Sequence, residues 1–120
     1  MTQRLKKRIA LDSQQFIDFV NLAYHQAVAA RLLADPDAVL TRARNNLQRW
    51  AKAHQGTGSA AALAEWQTIL DTSTIPELVA IITEDSDEGQ RLRQSTPFTG
   101  LFTEDERKEL WNRCAETVLA

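Results

Sequence analysis

The amino-acid sequence predicts an all-α protein, folded as a compact bundle of five to six helices, with room for a short extended arm at the N-terminus. Three observations lead to this prediction. Apolar residues recur at spacings of three and four, glycine and proline are scarce, and two threonine–glutamate pairs have the spacing that caps helices. Only residues 7–11 have a pattern that is also compatible with a strand.

The chain has the size and composition of one folded domain. Its 120 residues are close to the commonest domain length, and 43% apolar with 25% charged residues is ordinary for a globular protein. We divide it into a basic N-terminal arm, residues 1–12, and a single helical domain, residues 13–120. Cys114 is the sole cysteine, which fits a reducing compartment. Without a signal-peptide pattern or a membrane-length apolar run, we expect a cytoplasmic protein with no membrane contact.

The net charge of −2 conceals an uneven distribution. Residues 1–60 contain nine Lys and Arg against four Asp and Glu, whereas residues 61–120 contain five against twelve. This separation fits a molecule with a phosphate-facing end and a protein-facing end. It fits equally a fold in which the two halves neutralise each other, and the sequence leaves both interpretations open.

A proline separates the first two predicted helices. Asp12 or Ser13 can cap a long first helix that ends at Ala34. Asp35 precedes a proline and is therefore pushed out of helical geometry, while that proline suits the first turn of a second helix, Pro36–His54. Small residues on the first helix favour close packing, either inside the bundle or in a homodimer. These residues are Ala23, Ala27, Ala30 and Ala34.

Loops and capping pairs delimit the remaining helices. Two glycines mark a loop at residues 55–58, after which Ser59 can cap a third helix. Thr74-Ile75-Pro76-Glu77 has the pattern of a capping box and begins a fourth helix. An acidic cluster at residues 84–88 favours a further helical turn, because helix N-termini attract negative charge. A second capping box, Thr103-Glu104-Asp105-Glu106, begins the last helix.

Large apolar residues on the helix faces supply the expected core. We interpret the three tryptophans, Trp50, Trp66 and Trp111, as core anchors rather than as a surface for stacking bases. In the last helix the residues expected to be buried are Leu110, Trp111, Cys114 and Val118.

Groups that can perform catalysis or bind a metal are few. His25 and His54 lie in different predicted helices, and we expect an exposed or hydrogen-bonded structural role for each. No spacing of His, Cys and acidic residues resembles a metal motif. Cys114 lies among apolar positions, which favours burial over nucleophilic reactivity. We therefore expect a protein that is not an enzyme, with no catalytic residue, metal or cofactor.

Two segments are candidates for DNA contact. The residues around Thr74 have the rhythm of a helix-turn-helix, but the second of these helices offers Glu77 and no cation, so we reject it as a DNA reader. The other candidate is the basic arm. A DNA-binding transcriptional regulator that uses the arm is the alternative function, and a flexible basic arm is the simpler interpretation. The arm's cations are Arg4, Lys6, Lys7 and Arg8.

The best candidate for a binding surface is the connector before the last helix, residues 91–102, with the sequence RLRQSTPFTGLF. Its arginines are forked donors suited to a carboxylate or a phosphate, and its phenylalanines can insert into a partner's pocket. Alternatively, the phenylalanines close the bundle and the arginines pair with the acids just upstream. The candidate partner-binding residues are Arg91, Arg93, Gln94, Thr96, Phe98 and Phe102.

Three segments of the chain have distinctive sequences: LLADPDAVLTRARNNLQRW, EWQTIL and RLRQSTPFTGLF. Together they resemble small helical bacterial proteins of the antitoxin type, which are encoded in toxin–antitoxin gene pairs. The resemblance covers about residues 27–111. It implies a cognate toxin protein that is bound and neutralised, and an operator DNA that such antitoxins often bind for autoregulation. It implies no catalytic residue.

Overall fold

The computed structural model describes residues 13–119, and within this range the protein is all-α, as predicted. Six helices follow one another: α1 (Gln14–Ala34), α2 (Pro36–Ala53), α3 (Ser59–Thr72), α4 (Ile75–Ile82), α5 (Asp87–Arg93) and α6 (Glu104–Leu119). The basic arm lies outside the described residues, and the DNA contacts predicted for Arg4, Lys6, Lys7 and Arg8 stay predictions.

Hydrogen bonds at the cap positions fix where several helices begin. Ser13 Oγ accepts a backbone N–H of the first turn of α1 at 3.2 Å. Thr74 and Glu77 form the predicted capping box of α4, with reciprocal bonds of 3.2 and 2.9 Å. Thr103 and Glu106 repeat the arrangement before α6, at 3.1 and 2.8 Å. These three helix starts are confirmed.

Two local predictions are wrong. Gly58, rather than Ser59, is the cap residue of α3, because the chain already has helical backbone angles at Gly58 and Ser59 falls inside the first turn. Trp111 was expected in the core but is 41% exposed. The reason is that α6 packs chiefly against α1, so it buries only the narrow stripe formed by Cys114 and Val118.

The main core lies where α1 to α5 meet, and the connector after α5 completes it. Trp66 of α3 and Phe98 of the connector are both fully buried at its centre. The other members are Val28, Ala29, Leu32, Val39, Ala43, Leu47, Leu63, Leu70, Leu78, Ile82 and Leu92. A smaller cluster between α1 and α6 contains Phe16, Cys114 and Val118. Burial raises the pKa of the Cys114 thiol, as befits a small core hydrophobe.

Two surface ion pairs join the basic half of the chain to the acidic half. Arg31 pairs with Glu106 at 2.8 Å, and Arg44 pairs with Asp71 at 2.6 Å. All four side chains are substantially exposed, so each pair contributes little to stability. The pairs show that some of the uneven charge is neutralised inside the fold.

Candidate functional site

The predicted binding segment, residues 91–102, covers the last residues of α5 and the connector that follows them, and its candidate partner-binding residues differ in exposure. Phe98 and Arg93 are buried, Thr96 and Phe102 are half-buried, and Arg91 and Gln94 are exposed. Neither Phe98 nor Arg93 is therefore on the surface that a partner protein would meet. Phe98 closes the core, which is one of the two roles that the sequence left open.

Phe98 is the centre of an aromatic cluster. Its ring meets that of Trp66 edge to face with centroids 5.8 Å apart, and that of His25 at 6.4 Å. Its carbonyl accepts the Tyr24 hydroxyl at 2.7 Å. The indole N–H of Trp66 donates to the Leu92 carbonyl at 3.0 Å, which secures the start of the connector. The polar groups of Tyr24, which is half-buried, and of Trp66, which is buried, thus both have hydrogen-bond partners.

His25 links α1 to the connector. Its Nδ1 lies 2.7 Å from the Asn21 carbonyl and must donate to it, so in the neutral ring Nε2 accepts from the Thr96 hydroxyl at 2.8 Å. The Thr96 oxygen also accepts the N–H of Phe98 at 3.1 Å. Burial, assisted by the charge of Arg93 and opposed by the hydrogen bond to Asn21, lowers the pKa of His25 to about 4. His25 is therefore a neutral structural imidazole, and Thr96 is its partner.

Asn46 of α2 holds the connector from the other side. It is 1% exposed, and its amide donates to the carbonyls of Pro97 and Thr99 at 2.9 and 3.2 Å. Arg49 in turn donates to the Asn46 side-chain oxygen at 2.7 Å. This positioning role was missed in the sequence. The available indication was that Asn46 shares helical spacing with the apolar Ala43.

Arg91 is already paired on the surface. Its guanidinium makes a two-pronged contact with Glu65, at 3.0 and 2.8 Å, and a second one with Glu88, at 3.0 and 2.6 Å. Hydrogen bonds from Arg91 lower the pKa of both carboxyl groups. The predicted pairing with an upstream acid is thus observed for Arg91, and a partner's carboxylate would have to compete with these two.

A surface with several aromatic side chains lies between α1 and α6. A groove of about 360 Å³ there is lined by Tyr24, Leu110 and Trp111, and a smaller one of about 120 Å³ adjoins it beside Phe102. Arg107 borders both. The Tyr24 and Phe102 rings meet edge to face with centroids 5.2 Å apart. We call this surface, consisting of Tyr24, Phe102, Arg107, Leu110 and Trp111, the α1–α6 groove.

Neither a membrane-spanning helix nor a metal site occurs among residues 13–119. No described helix combines the length and the apolar character needed to cross a bilayer. No group of three or more His, Cys, Asp or Glu side chains in this range is arranged to hold a metal ion. The chain matches no protein-family model, and no curated protein or solved structure is significantly similar to it.

Part of the small-residue face of α1, which was predicted to form a homodimer, is exposed. Ala30 and Ala34 are exposed, and Leu33 beside them is 62% exposed, whereas Ala23 and Ala27 are half-buried against the rest of the bundle. The small-residue face is therefore partly used inside the molecule. Homodimerisation through α1 stays a prediction.

Proposed function

We propose that this protein is a cytoplasmic, non-enzymatic binding protein that neutralises a partner toxin, in the manner of an antitoxin. The observation that carries the proposal is the α1–α6 groove, where Trp111 remains 41% exposed beside other aromatic side chains. Binding surfaces in proteins are enriched in tryptophan, tyrosine and arginine, and the groove contains all three. The resemblance of three sequence segments to antitoxins supports the class of partner.

The groove has the organisation of a protein-binding site. The apolar part of its lining includes Tyr24, Leu110 and Trp111. Its charged lining consists of Glu104, Arg107 and Lys108, and Lys108 pairs with Glu104 at 3.6 Å. Arg107 makes no ion pair with any residue in the described range. A partner surface that combines an apolar anchor with acidic side chains fits this arrangement best. Phe102 is the member of the predicted set that contributes to it.

Coexpression with the product of the adjacent gene tests the proposal. We expect that product to arrest growth alone, and to be harmless and to copurify when this protein is present. Trp111→Ala should weaken the complex by roughly thirtyfold, because a central tryptophan anchor contributes about 2 kcal/mol or more. Arg107→Glu should also weaken the complex, whereas Arg42→Glu, the same change on α2, should leave its affinity unchanged.

The proposal is wrong if the neighbouring product is harmless by itself or if the two proteins do not copurify. It is also wrong if a complex forms and both groove variants bind as tightly as the wild type. Arg107 is exposed, so a loss of binding in Arg107→Glu does not reflect unfolding. A thermal melt of each variant verifies this point.

The outer face of α2 favours a second candidate function, that of a DNA-binding regulator. Between residues 41 and 52 the helix contains no acidic residue. On one side of this helix, within about 120° around its axis, the exposed positions are occupied by cationic, amide and hydroxyl side chains. These are the types of side chain that contact phosphates and base edges. The residues at these positions are Thr41, Arg42, Asn45, Gln48, Arg49 and Lys52. This face would act together with the basic arm.

Fluorescence anisotropy with DNA from upstream of the gene tests this second function. Binding should weaken steeply as salt increases, and replacing both Arg42 and Lys52 by glutamine should reduce the slope of log affinity against log salt by about 2. Replacing both Arg107 and Arg113 by glutamine removes the same charge from α6 and should leave the slope unchanged. Equal losses in both double variants, or binding that is independent of salt, would exclude a specific role for α2.

A further inference from the structure

Arg93 is a buried arginine that lacks an anionic partner within residues 13–119. Its side chain is 5% exposed, and Nη1 donates to the carbonyls of Glu84 at 2.7 Å and Ile82 at 3.3 Å. These bonds place a cation just beyond the C-terminus of α4, where it is favoured. No described carboxylate oxygen lies within 4.0 Å of the guanidinium. A buried charge without a counterion is unusual, because its desolvation is costly.

The rest of the Arg93 guanidinium has no acceptor among the described residues. Nε and Nη2 of Arg93 donate to no acceptor in the described chain, and neither is a completely buried nitrogen without a partner. Both donors therefore keep a small contact with solvent, although the residue as a whole is 5% exposed. Arg93 lines a cavity of about 520 Å³ between the first half of α1 and the α4–α5 region. Nε and Nη2 form the fork that binds the two oxygens of a carboxylate.

The opposite charge is present in the same cavity. Asp85 is exposed and makes no hydrogen bond or ion pair with described residues, whereas Asp18 accepts hydrogen bonds from Gln90 at 2.6 Å and from Gln14 at 2.9 Å. Both carboxylates lie beyond ion-pair distance of Arg93. They would repel a simple anion such as phosphate, but they would attract a ligand that also carries an ammonium group.

An apolar surface completes the cavity. Phe19, which is 38% exposed, and Leu22 project into it from α1. A cavity of this volume is within the range of about 300–1,000 Å³ that is usual for small-ligand sites, which combine apolar walls with a few directed polar groups. The cavity therefore provides a cationic fork, a free carboxylate and an apolar wall within one small space.

We propose that this cavity binds a free α-amino acid with an apolar side chain. The ligand's carboxylate binds Nε and Nη2 of Arg93, its ammonium group binds Asp85 with Asp18 nearby, and its side chain packs on Phe19. The site is separate from the α1–α6 groove and from the outer face of α2. It is therefore independent of the proposed toxin neutralisation.

Titration of the isotope-labelled protein with L-leucine, followed by NMR, tests the proposal. We expect saturable shifts of the Arg93 Nε–H signal and of the amide signals of Phe19 and Asp85. Two analogues test the charged groups separately. Isocaproate keeps the branched carbon skeleton and the carboxylate of leucine but lacks the ammonium group. Isoamylamine keeps the branched skeleton and the ammonium group but lacks the carboxylate. Each should bind at least roughly tenfold more weakly, because a charge-assisted hydrogen bond contributes about 1.5 kcal/mol or more. Absence of saturable shifts, or isocaproate binding as tightly as leucine, overturns the proposal.

Asp85→Asn separates binding from folding. Asp85 has no partner in the described chain, so the variant should fold normally and bind leucine roughly tenfold more weakly. Asp87→Asn is the matched control, because it removes the same charge two residues away without touching the cavity. Unchanged affinity in Asp85→Asn, or an equal loss in Asp87→Asn, overturns the proposal. Toxin neutralisation by Asp85→Asn should be normal, which keeps this test distinct from that of the proposed function.

Discussion

Replacing Phe98 by alanine is expected to lower the free energy of unfolding by about 4 kcal/mol. The ring is fully buried between Trp66 and His25, so its removal leaves a cavity at the centre of the core. The surrounding helices can collapse only in part, because the connector is held on both sides by Tyr24 and Asn46. Urea denaturation of the variant and the wild type measures the loss, with an unchanged m-value as evidence for two-state unfolding.

Phe19→Ala provides the control for this prediction. Phe19 is 38% exposed and belongs to neither core cluster, so its replacement should lower the free energy of unfolding by about 1 kcal/mol. A small domain has a total stability of about 5–15 kcal/mol, so only the Phe98 variant loses a large part of it. Phe98 would not be a core anchor if both variants lost the same amount, or if Phe98→Ala lost less than about 1 kcal/mol.

The helices and most of their boundaries, though not the start of α3, could be predicted because they depend on neighbours in the sequence. The capping boxes that begin with Thr74 and Thr103 involve residues three positions apart, and Pro36 ends one helix and begins the next by its own geometry. The exposure of Trp111 could not be predicted in this way. The exposure of Trp111 depends on how many helices pack against α6, and this number cannot be inferred from the residues of α6 alone.

The roles of the connector residues could not be predicted for the same physical reason. His25 and Thr96 are 71 positions apart, and Asn46 and Pro97 are 51 apart, yet each pair is joined by one hydrogen bond. Local composition shows only that arginine, threonine and phenylalanine occur together. Whether such residues face a partner or the core is decided by these distant contacts.

The two arginines in the last turn of α5 show that neighbouring residues of one type can have different surroundings. Arg91 lies on the exposed side of α5 and pairs with Glu65 and Glu88, whereas Arg93 turns inward toward the carbonyl of Glu84. Gly89 permits the inward packing, since a Cβ at that position would lie 2.1 Å from the same carbonyl oxygen. One arginine therefore forms surface ion pairs, and the other is a buried structural cation that also lines a cavity.

Because of His25, the free energy of unfolding is expected to be about 2 kcal/mol lower at about pH 5 than at about pH 7. The ordinary pKa of histidine is 6.5, and burial lowers that of His25 to about 4 in the folded protein. Between these values the unfolded chain binds a proton that the folded chain excludes. Stability is thus fully present above pH 6.5 and is lost progressively as the pH falls toward 4.

Urea denaturation of the wild type and of His25→Gln across this pH range measures the effect. The glutamine variant should be less stable at neutral pH, because it disturbs the hydrogen bonds to Asn21 and Thr96, but its stability should vary much less between pH 5 and 7. Carboxyl groups with lowered pKa, such as Glu65 and Asp71, reduce stability only as the pH falls below the ordinary carboxyl values of 4.5 and 3.8. Above about pH 5, the change in the free energy of unfolding with pH is therefore due mainly to histidine. An identical slope in the wild type and the variant would mean that His25 is charged in the folded protein, and the neutral hydrogen-bonded arrangement would then be wrong.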